Sequence, residues 1–291
     1  MRIVYHLGAH CTDEERLLRC LLKNRGPLAK QGIAVPGPSR YRNLLRETAN
    51  GLGRGTASRE AQAYVLQQIL EGDDKAERVI LSWESFMAYP QWALHGGLYA
   101  RAGQNLRKLH DVLPDYPVEF HLSIRNPAGF IPALLQRQRD KTYAELMQDL
   151  HPQDLLWSNV LHAIRDTNPD VPIHVWCDED SPMIWPDVLR IVTGHQPGMT
   201  LDGQDDLLAT LLAPPDLARL QQELGVRTKG DTTLRPMIIA EFLEAYALPD
   251  KMETTVDLPG WNVELVETLT LQYDQDLNRI GRIPGLTLTL P

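Results

Sequence analysis

The feature that most constrains the fold is a strand, turn and helix signature at the start of the chain. Residues 2–7 form a short apolar run with Ile, Val, Tyr and Leu, which favours a buried strand. Gly8 and Ala9 follow, and their small side chains allow the backbone to turn sharply. Thr12 and Glu15 stand at capping-box spacing before several leucines at helical spacing, so we predict that a helix begins there. Together these elements predict free N–H groups at the positive end of a helix dipole, a place that holds anions, phosphates above all.

The side chains of this loop do not complete a usual phosphate site. A P-loop supplies a Lys beside a Ser or Thr, whereas residues 11–15 read Cys, Thr, Asp, Glu and Glu. A unit charge about 5 Å from a bound phosphate costs roughly 3 kcal/mol at an effective dielectric constant of about 20. Two interpretations therefore stay open. The stretch is either an anion-binding loop, or the ordinary first helix of an α/β domain with acids in its first turn.

Composition excludes several classes of function. The 291 residues have a formal net charge of −9, which argues against nucleic acid or an anionic membrane surface as the main partner. No apolar run approaches the roughly 20 residues of a membrane-spanning helix, and the N-terminus does not resemble a signal peptide. The three cysteines have no pattern, which predicts reduced thiols in a cytoplasmic protein. His10 and Cys11 lack a partner pair at metal-ligand spacing, so no metal site is predicted.

Three further runs predict strands, at residues 78–83, 118–125 and 171–177, and each is followed by helical material. This alternation predicts an α/β fold with a mainly parallel sheet flanked by helices. The segment 194–203 is rich in Gly, Pro, His and Gln and is the best linker candidate. We therefore predict an α/β core at 1–194 and a mostly helical portion at 204–291 packed on it, with a single domain 1–291 as the alternative.

Two charged residues follow predicted strands, at the edge where parallel sheets place their ligand crevices. Glu84 is either a catalytic acid or base, or a loop acid that caps a nearby helix. Arg125 precedes Asn126 and Pro127, which begin another helix, and its planar fork of donors suits phosphate. For Arg137, further along that helix, a solvated position that complements the helix dipole is predicted.

With these residues in place, the chain resembles a bacterial member of the sulfotransferase superfamily. The stretch from His6 to Glu15 lies on the frame of the family's first strand and turn, and Arg125-Asn126-Pro127 matches the start of its second motif. The resemblance implies a three-layer, P-loop-like fold and 3′-phosphoadenosine 5′-phosphosulfate (PAPS) as sulfuryl donor. It implies that the 5′ phosphosulfate and the 3′ phosphate of PAPS would be held by Gly8, Ala9, His10, Cys11, Thr12 and Arg125.

The sequence departs from the family pattern at several of these positions. The family's loop Lys is Cys11, its Gly-Thr-Thr is Asp13-Glu14-Glu15, and the Ser of its second motif is Ala133. Removal of one preorganised donor typically costs about 3 kcal/mol of transition-state stabilisation. His10 could replace the Lys as a cationic or acidic group, because an imidazole titrates near neutrality.

Three functional hypotheses follow. The first is transfer of a sulfuryl group from PAPS to a hydroxyl or amine of a small-molecule or glycan acceptor, with Glu84 or His10 as the base. The second is a binding or scaffold protein on the same fold that has lost cofactor binding. The third is a divergent kinase, in which Thr12 and Asp178 would serve the Mg²⁺ ion. The acceptor and the oligomeric state stay open.

Overall fold

Six parallel strands form one sheet in the order β2-β3-β1-β4-β5-β6. The structure, a computed structural model, describes residues 1–71, 75–228, 232–252 and 257–291. The strands are β1 (Arg2–His6), β2 (Ile33–Ala34), β3 (Arg78–Ser82), β4 (Val118–Ile124), β5 (Ile173–Cys177) and β6 (Leu286–Thr289). The apolar runs recognised in the sequence are β1, β3, β4 and β5, so the prediction of a mainly parallel sheet is confirmed.

Helices follow the strands and cover both faces of the sheet. In chain order they are α1 (Arg16–Lys23), α2 (Arg25–Ala29), α3 (Arg42–Gly51), α4 (Arg59–Leu70), α5 (Ala102–His110), α6 (Pro127–Arg137), α7 (Tyr143–Met147), α8 (Trp157–Thr167), α9 (Ser181–Thr193), α10 (Leu208–Leu211), α11 (Pro214–Arg227), α12 (Arg235–Tyr246), α13 (Pro249–Met252) and α14 (Val263–Ile280). None of the helices that the structure describes is both long enough and apolar enough to cross a membrane.

Alternate residues of the strands belong to two different cores, because successive side chains of a strand point to opposite faces of the sheet. Ile3 and Tyr5 of β1 belong to the larger core, which includes residues of α3, α4, α5, α6 and α8. Val4 belongs to a second core on the opposite face, together with residues of α1 and α9 such as Leu17 and Trp185. The chain is therefore a three-layer α/β fold, as predicted, with buried strands between two layers of helices.

The part of the chain after residue 204 is mostly helical, as predicted, but it returns to the sheet at its end. Helices α10, α11 and α12 share a small core of their own. Helix α14 instead packs on the main core through residues that include Tyr273 and Ile280. After it, Leu286–Thr289 pairs in parallel with β5, from Ile173↔Leu286 to Trp176↔Thr289. The C-terminal residues therefore complete the main sheet.

The connections place one crevice at the middle of the sheet. β1 lies between β3 on one side and β4 on the other. The chain passes from β1 to β2 and β3 on one side, and then crosses from β3 to β4 on the other side. Ligands of open parallel sheets bind outside the carboxyl ends of strands at such a switch point. The residues that follow β1, β3, β4 and β5 meet at this edge, and they form the candidate site.

Candidate functional site

The loop after β1 begins by extending the sheet. The N–H of Leu7 donates to the carbonyl of His121 at 2.8 Å, and the N–H of Ala9 donates to the carbonyl of Ser123 at 3.3 Å. Gly8 between them has a φ of +50°, and a Cβ added there would lie 3.6 Å from the Cα of Glu84. A glycine suits this position because L side chains rarely adopt such a backbone conformation. The amide of Ala9, one of the predicted cofactor-binding residues, is therefore bound to β4.

Asp13 rather than Thr12 caps the first helix, so the predicted capping box is wrong. The Asp13 carboxylate accepts hydrogen bonds from the N–H groups of Leu17 at 2.9 Å and Glu15 at 3.3 Å. The Thr12 hydroxyl donates to the carbonyl of Ala9 at 2.8 Å instead. Glu15 adopts a left-handed conformation with a φ of 62°, and α1 begins one residue later, at Arg16. The positive end of the helix dipole thus already has an anion, supplied by the chain itself.

His10 lies in the protein interior, with no exposed surface. The Tyr99 hydroxyl accepts from the His10 backbone N–H at 2.9 Å and lies 2.6 Å from Nδ1 of the same residue. In the second contact the hydroxyl either donates to Nδ1 or accepts from it, according to the tautomer of the imidazole. Burial, together with the charge of Arg137, lowers the pKa of His10 to about 3. At neutral pH the imidazole is uncharged, which argues against its use as a substitute for the family's Lys.

Arg125 contacts the loop through its guanidinium group. Its Nη1 donates to the carbonyl of Cys11 at 2.5 Å. The backbone around it is fixed: the Trp157 indole donates to the Arg125 carbonyl at 2.7 Å, and the Asn126 side chain caps α6. Gly129 gives the guanidinium room, since a Cβ there would lie 3.2 Å from its Nε. Arg125 therefore stands at the predicted strand end, but it binds a backbone carbonyl of the loop.

Glu84 pairs with Arg137, and the pair lies beside Cys11. Both carboxylate oxygens of Glu84 accept hydrogen bonds from the Arg137 guanidinium. The pKa of the Cys11 thiol is raised by burial, against the opposing charges of Arg137 and Arg125. Arg137 lies exposed at the last residue of α6, as predicted, and it also pairs with Glu84 beside the loop.

Asp178 brings a fourth strand end into the site. Burial raises its pKa to about 7, the charge of Arg125 opposes the rise, and the charges of Glu179 and Asp13 add to it. Glu179 accepts from the Asn126 backbone N–H at 2.8 Å, which ties the ends of β4 and β5 together. The site thus holds carboxylates from three strand ends and two guanidinium groups.

The structure brings most of the predicted residues together but gives them partners within the chain. Gly8 to Thr12, Glu84 and Arg125 all lie at the same edge of the sheet, as the strand–turn–helix reasoning predicts. Sequence reasoning missed Asp13 as the cap and Tyr99 as the partner of His10. A signal for Asp13 was present, since Asp is among the preferred N-cap residues. For Tyr99, which is 89 residues from His10 in the chain, no sequence signal existed.

The residues as arranged do not fit PAPS. The amides at the start of α1 are bound by the Asp13 carboxylate. A phosphosulfate group there would place its negative charge against that carboxylate. At about 5 Å and a dielectric constant of about 20, one such contact costs roughly 3 kcal/mol. The guanidinium expected to hold the 3′ phosphate is bound to the Cys11 carbonyl.

A second polar cluster lies inside the protein, at the opposite end of β4, and sequence reasoning did not identify it. Glu119, His121 and His174 place their ligand atoms within 4.8 Å of one another, close enough to hold a metal ion. The Glu119 carboxylate, however, already pairs with Arg78 at 2.6 Å and with Arg2 at 2.5 Å. Two guanidinium groups neutralise the charge that would attract a cation, so the cluster is a partly buried ion-pair network.

The chain was also compared with known proteins. No protein-family model matches it, and no curated protein matches it. Among solved structures, it is similar to the crystal structure of a sulfotransferase from Alicyclobacillus acidocaldarius, with 14% sequence identity and a TM-score of 0.43. The match covers 83% of this chain and 98% of that chain. A likeness of this size assigns no role to any residue, so the site is interpreted from its own contacts.

Proposed function

We propose that this chain is a non-catalytic binding protein built on a sulfotransferase-like fold, and that it does not bind PAPS. One observation carries the proposal: the Asp13 carboxylate accepts the hydrogen bonds of the Glu15 and Leu17 amides. These amides are the donors that a phosphate at the start of α1 would use. A ligand would have to displace a carboxylate that is covalently part of the loop, and so is present at a high effective concentration.

The neighbouring contacts support the same proposal. Arg125 binds the carbonyl of Cys11, Glu84 binds Arg137, and His10 is buried and neutral. The side chains of Arg125, Glu84 and His10 therefore each have a partner in the chain. The three cysteines are unpaired, which supports a reducing compartment such as the cytoplasm. The net charge of −9 supports a partner other than nucleic acid.

Isothermal titration with adenosine 3′,5′-bisphosphate tests the proposal. We expect no binding up to a concentration of about 1 mM, which corresponds to an affinity weaker than about −4 kcal/mol. The variant Cys11→Lys should not bind either, because Asp13 still occupies the helix start. The double variant Cys11→Lys, Asp13→Ala adds the cation and frees the amides, so any nucleotide binding should appear there first. A micromolar dissociation constant for the unmodified protein would refute the proposal.

A second candidate function is sulfuryl transfer from PAPS to a hydroxyl or amine of a small molecule or glycan. It is favoured by the approach of two guanidinium groups, since Arg125 donates to the Cys11 carbonyl and the charge of Arg137 also acts on the Cys11 thiol. Under this candidate, the cofactor residues Gly8, Ala9, His10, Cys11, Thr12 and Arg125 would have to rearrange to hold PAPS. Glu84 would have to leave Arg137 before it could serve as a base.

Release of adenosine 3′,5′-bisphosphate from PAPS, measured with a panel of phenols, sugars and amines, separates the two candidates. Under the leading proposal no acceptor raises the release above the background without protein. Acceptor-dependent release that is lost in Glu84→Gln, and kept in the exposed control Glu47→Gln, would establish the second candidate. Near-ultraviolet circular dichroism of each variant confirms that the fold is unchanged.

A further inference from the structure

Beside the loop, but sharing no residue with it, the protein has an open cavity of about 510 Å³. Residues of α3, of the segment after β3 and of α5 line it. Small-molecule sites typically have volumes of roughly 300–1,000 Å³, so this cavity has room for a ligand of that class. Trp83 lines the cavity and directly precedes Glu84, which makes the cavity a neighbour of the loop site.

Aromatic side chains form much of the wall. They are Trp83, Phe86, Tyr89 and Trp92. The Trp83 ring contacts Phe86 edge-on at 5.6 Å and Tyr89 at 5.9 Å between ring centroids. Trp92 is 53% exposed, which is unusual for so large an apolar side chain. Such a wall favours a planar ring, because aromatic groups gain stacking or edge contacts in addition to the burial of apolar surface.

The charges at the cavity are opposite to those of the whole chain. Arg46, Arg101 and Lys108 line it, and no acidic residue of the described chain does, although the net charge is −9. Arg101 is the N-cap residue of α5, and Lys108 lies seven residues further along in the same helix. The two side chains therefore lie on one face of α5. Within the described ranges, neither side chain has an ion-pair or hydrogen-bond partner. Two cations beside the same cavity are thus left without a counter-charge.

We propose that this cavity binds an anionic aromatic small molecule, a planar ring that carries a carboxylate, sulfate or phosphate. The ring would pack on the aromatic wall, and the anionic group would pair with Arg101 and Lys108. A cationic ligand would be repelled by both residues, and a neutral ring would leave both without a counter-charge. The inference concerns a site separate from the loop, so it stands whether or not the loop binds a nucleotide.

Isothermal titration with ligands that share one ring tests the role of charge. The probes are 2-naphthoate, 2-naphthyl sulfate and neutral 2-naphthol. We expect the two anions to bind about fivefold or more tightly than 2-naphthol, since an exposed ion pair contributes up to about 1 kcal/mol. Whether 2-naphthoate or 2-naphthyl sulfate binds more tightly identifies the anionic group that the cavity prefers. Equal affinity for 2-naphthol and both anions would overturn the proposal.

Variants on α5 locate the site. Arg101→Gln and Lys108→Gln should each weaken 2-naphthoate binding by up to about fivefold and leave 2-naphthol binding unchanged. Arg107→Gln is the matched control, because Arg107 lies on the same helix but pairs with Asp111 at 2.9 Å and does not line the cavity. If Arg107→Gln weakens binding as much as the other two variants, the effect is one of net charge and the proposal fails.

Two further variants separate this cavity from the loop. Trp92→Ala should weaken the binding of all three probes about tenfold, since an aromatic contact contributes up to about 1.5 kcal/mol beyond burial. Asp13→Ala should change none of them. Loss of 2-naphthoate binding in Asp13→Ala, or no binding of 2-naphthoate at about 1 mM to the unmodified protein, would overturn the proposal. Neither result would alter the outcome of the nucleotide titration.

Discussion

Tyr99 shows how a single side chain can fix the conformation of the loop after β1. Its hydroxyl contacts both the backbone N–H and the Nδ1 atom of His10, and its ring stacks on the imidazole with centroids 5.7 Å apart. Both residues are buried, so water cannot replace these contacts. The imidazole is therefore held neutral and out of reach of solvent.

Tyr99→Phe tests this interpretation at the residue scale. The change removes one hydroxyl and leaves a buried N–H and a buried Nδ1 of His10 without a partner. We expect the free energy of unfolding in urea to fall by about 1–3 kcal/mol, the usual cost of an unsatisfied buried polar group. Tyr64→Phe is the control, because Tyr64 is 57% exposed; it should change stability by less than about 0.5 kcal/mol. Equal stability of Tyr99→Phe and the unmodified protein would contradict the interpretation.

The sequence could identify where the loop lies but not which of its polar residues caps the helix. Thr12 with Glu15, and Asp13 with the amides beyond it, are both reasonable caps by their residue types. The choice depends on the backbone, which adopts left-handed conformations at Cys11, Glu14 and Glu15. Three non-glycine residues in that conformation within five positions cannot be read from residue preferences, since each is individually unfavourable. The contacts of the folded protein determine the result.

At the scale of secondary structure, the close contact between α5 and α8 depends on one glycine. A Cβ added at Gly103 would lie 2.3 Å from the Ala163 carbonyl oxygen and 2.5 Å from the Thr167 hydroxyl oxygen. The Asn168 side chain also donates to the Gly103 carbonyl at 3.2 Å. The helices can lie this close because Gly103 has no side chain. Helix α5 also presents the cations of the proposed cavity, so its position matters beyond stability.

Gly103→Ala should therefore destabilise the protein. The added methyl group forces α5 and α8 apart, and overpacking of this kind costs about 1–3 kcal/mol. Gly225→Ala in α11 is a matched control, since nothing lies within 4 Å of the added Cβ. That change should instead stabilise the helix by about 0.5–1 kcal/mol, because alanine is the better helix former. Chemical denaturation should show that the free energy of unfolding falls in Gly103→Ala and rises in Gly225→Ala. A change of the same sign in both variants would contradict the packing argument.

The strands were the elements most accessible to prediction. β1, β3, β4 and β5 are buried on both faces, so they appear in the sequence as nearly continuous apolar runs. The alternation of Leu and Thr at residues 286–290 is typical of either a terminal strand or an extended tail. The structure has a strand there, β6, which lies half-buried at the sheet edge. Its pairing with β5 could not be predicted, because strand order depends on contacts between residues more than 100 positions apart.

At the scale of the whole molecule, the partly buried ion-pair network joins four neighbouring strands. Arg2 of β1 and Arg78 of β3 pair with Glu119 of β4, and the imidazoles of His121 and His174 stack beside them with centroids 4.7 Å apart. Burial would raise the pKa of Glu119, but the His121 hydrogen bond and the Arg78 charge outweigh it and lower that pKa. Glu119 therefore contributes stability above its unfolded pKa, and that stability is lost as the pH falls through its folded pKa.

His121 also makes the free energy of unfolding depend on pH, and in the same direction as Glu119: stability is lost as the pH falls. Burial lowers its pKa from 6.5 to about 4, although the neighbouring Glu119 favours the charged form. The folded state prefers the neutral imidazole, so there is no effect above the unfolded pKa and stability is lost as the pH falls from about 6.5 to 4. For this shift the loss reaches about 3 kcal/mol at pH 4. Asp178 acts in the opposite direction. Burial raises its pKa, so its charged form destabilises the folded protein near neutral pH, and this destabilisation disappears as the carboxylate is protonated at lower pH.

A comparison with His121→Gln isolates the histidine from Asp178, which both proteins retain. The amide of Gln can keep a hydrogen bond to Glu119 but does not titrate. We expect the unmodified protein to lose about 3 kcal/mol more than the variant in its free energy of unfolding between about pH 7 and pH 4, measured by urea denaturation at each pH. The variant should be the less stable protein at neutral pH. The difference in free energy of unfolding between the two proteins should become smaller or change sign in acid. Parallel pH profiles would show that His121 is protonated in the folded protein, with Glu119 as its counter-charge.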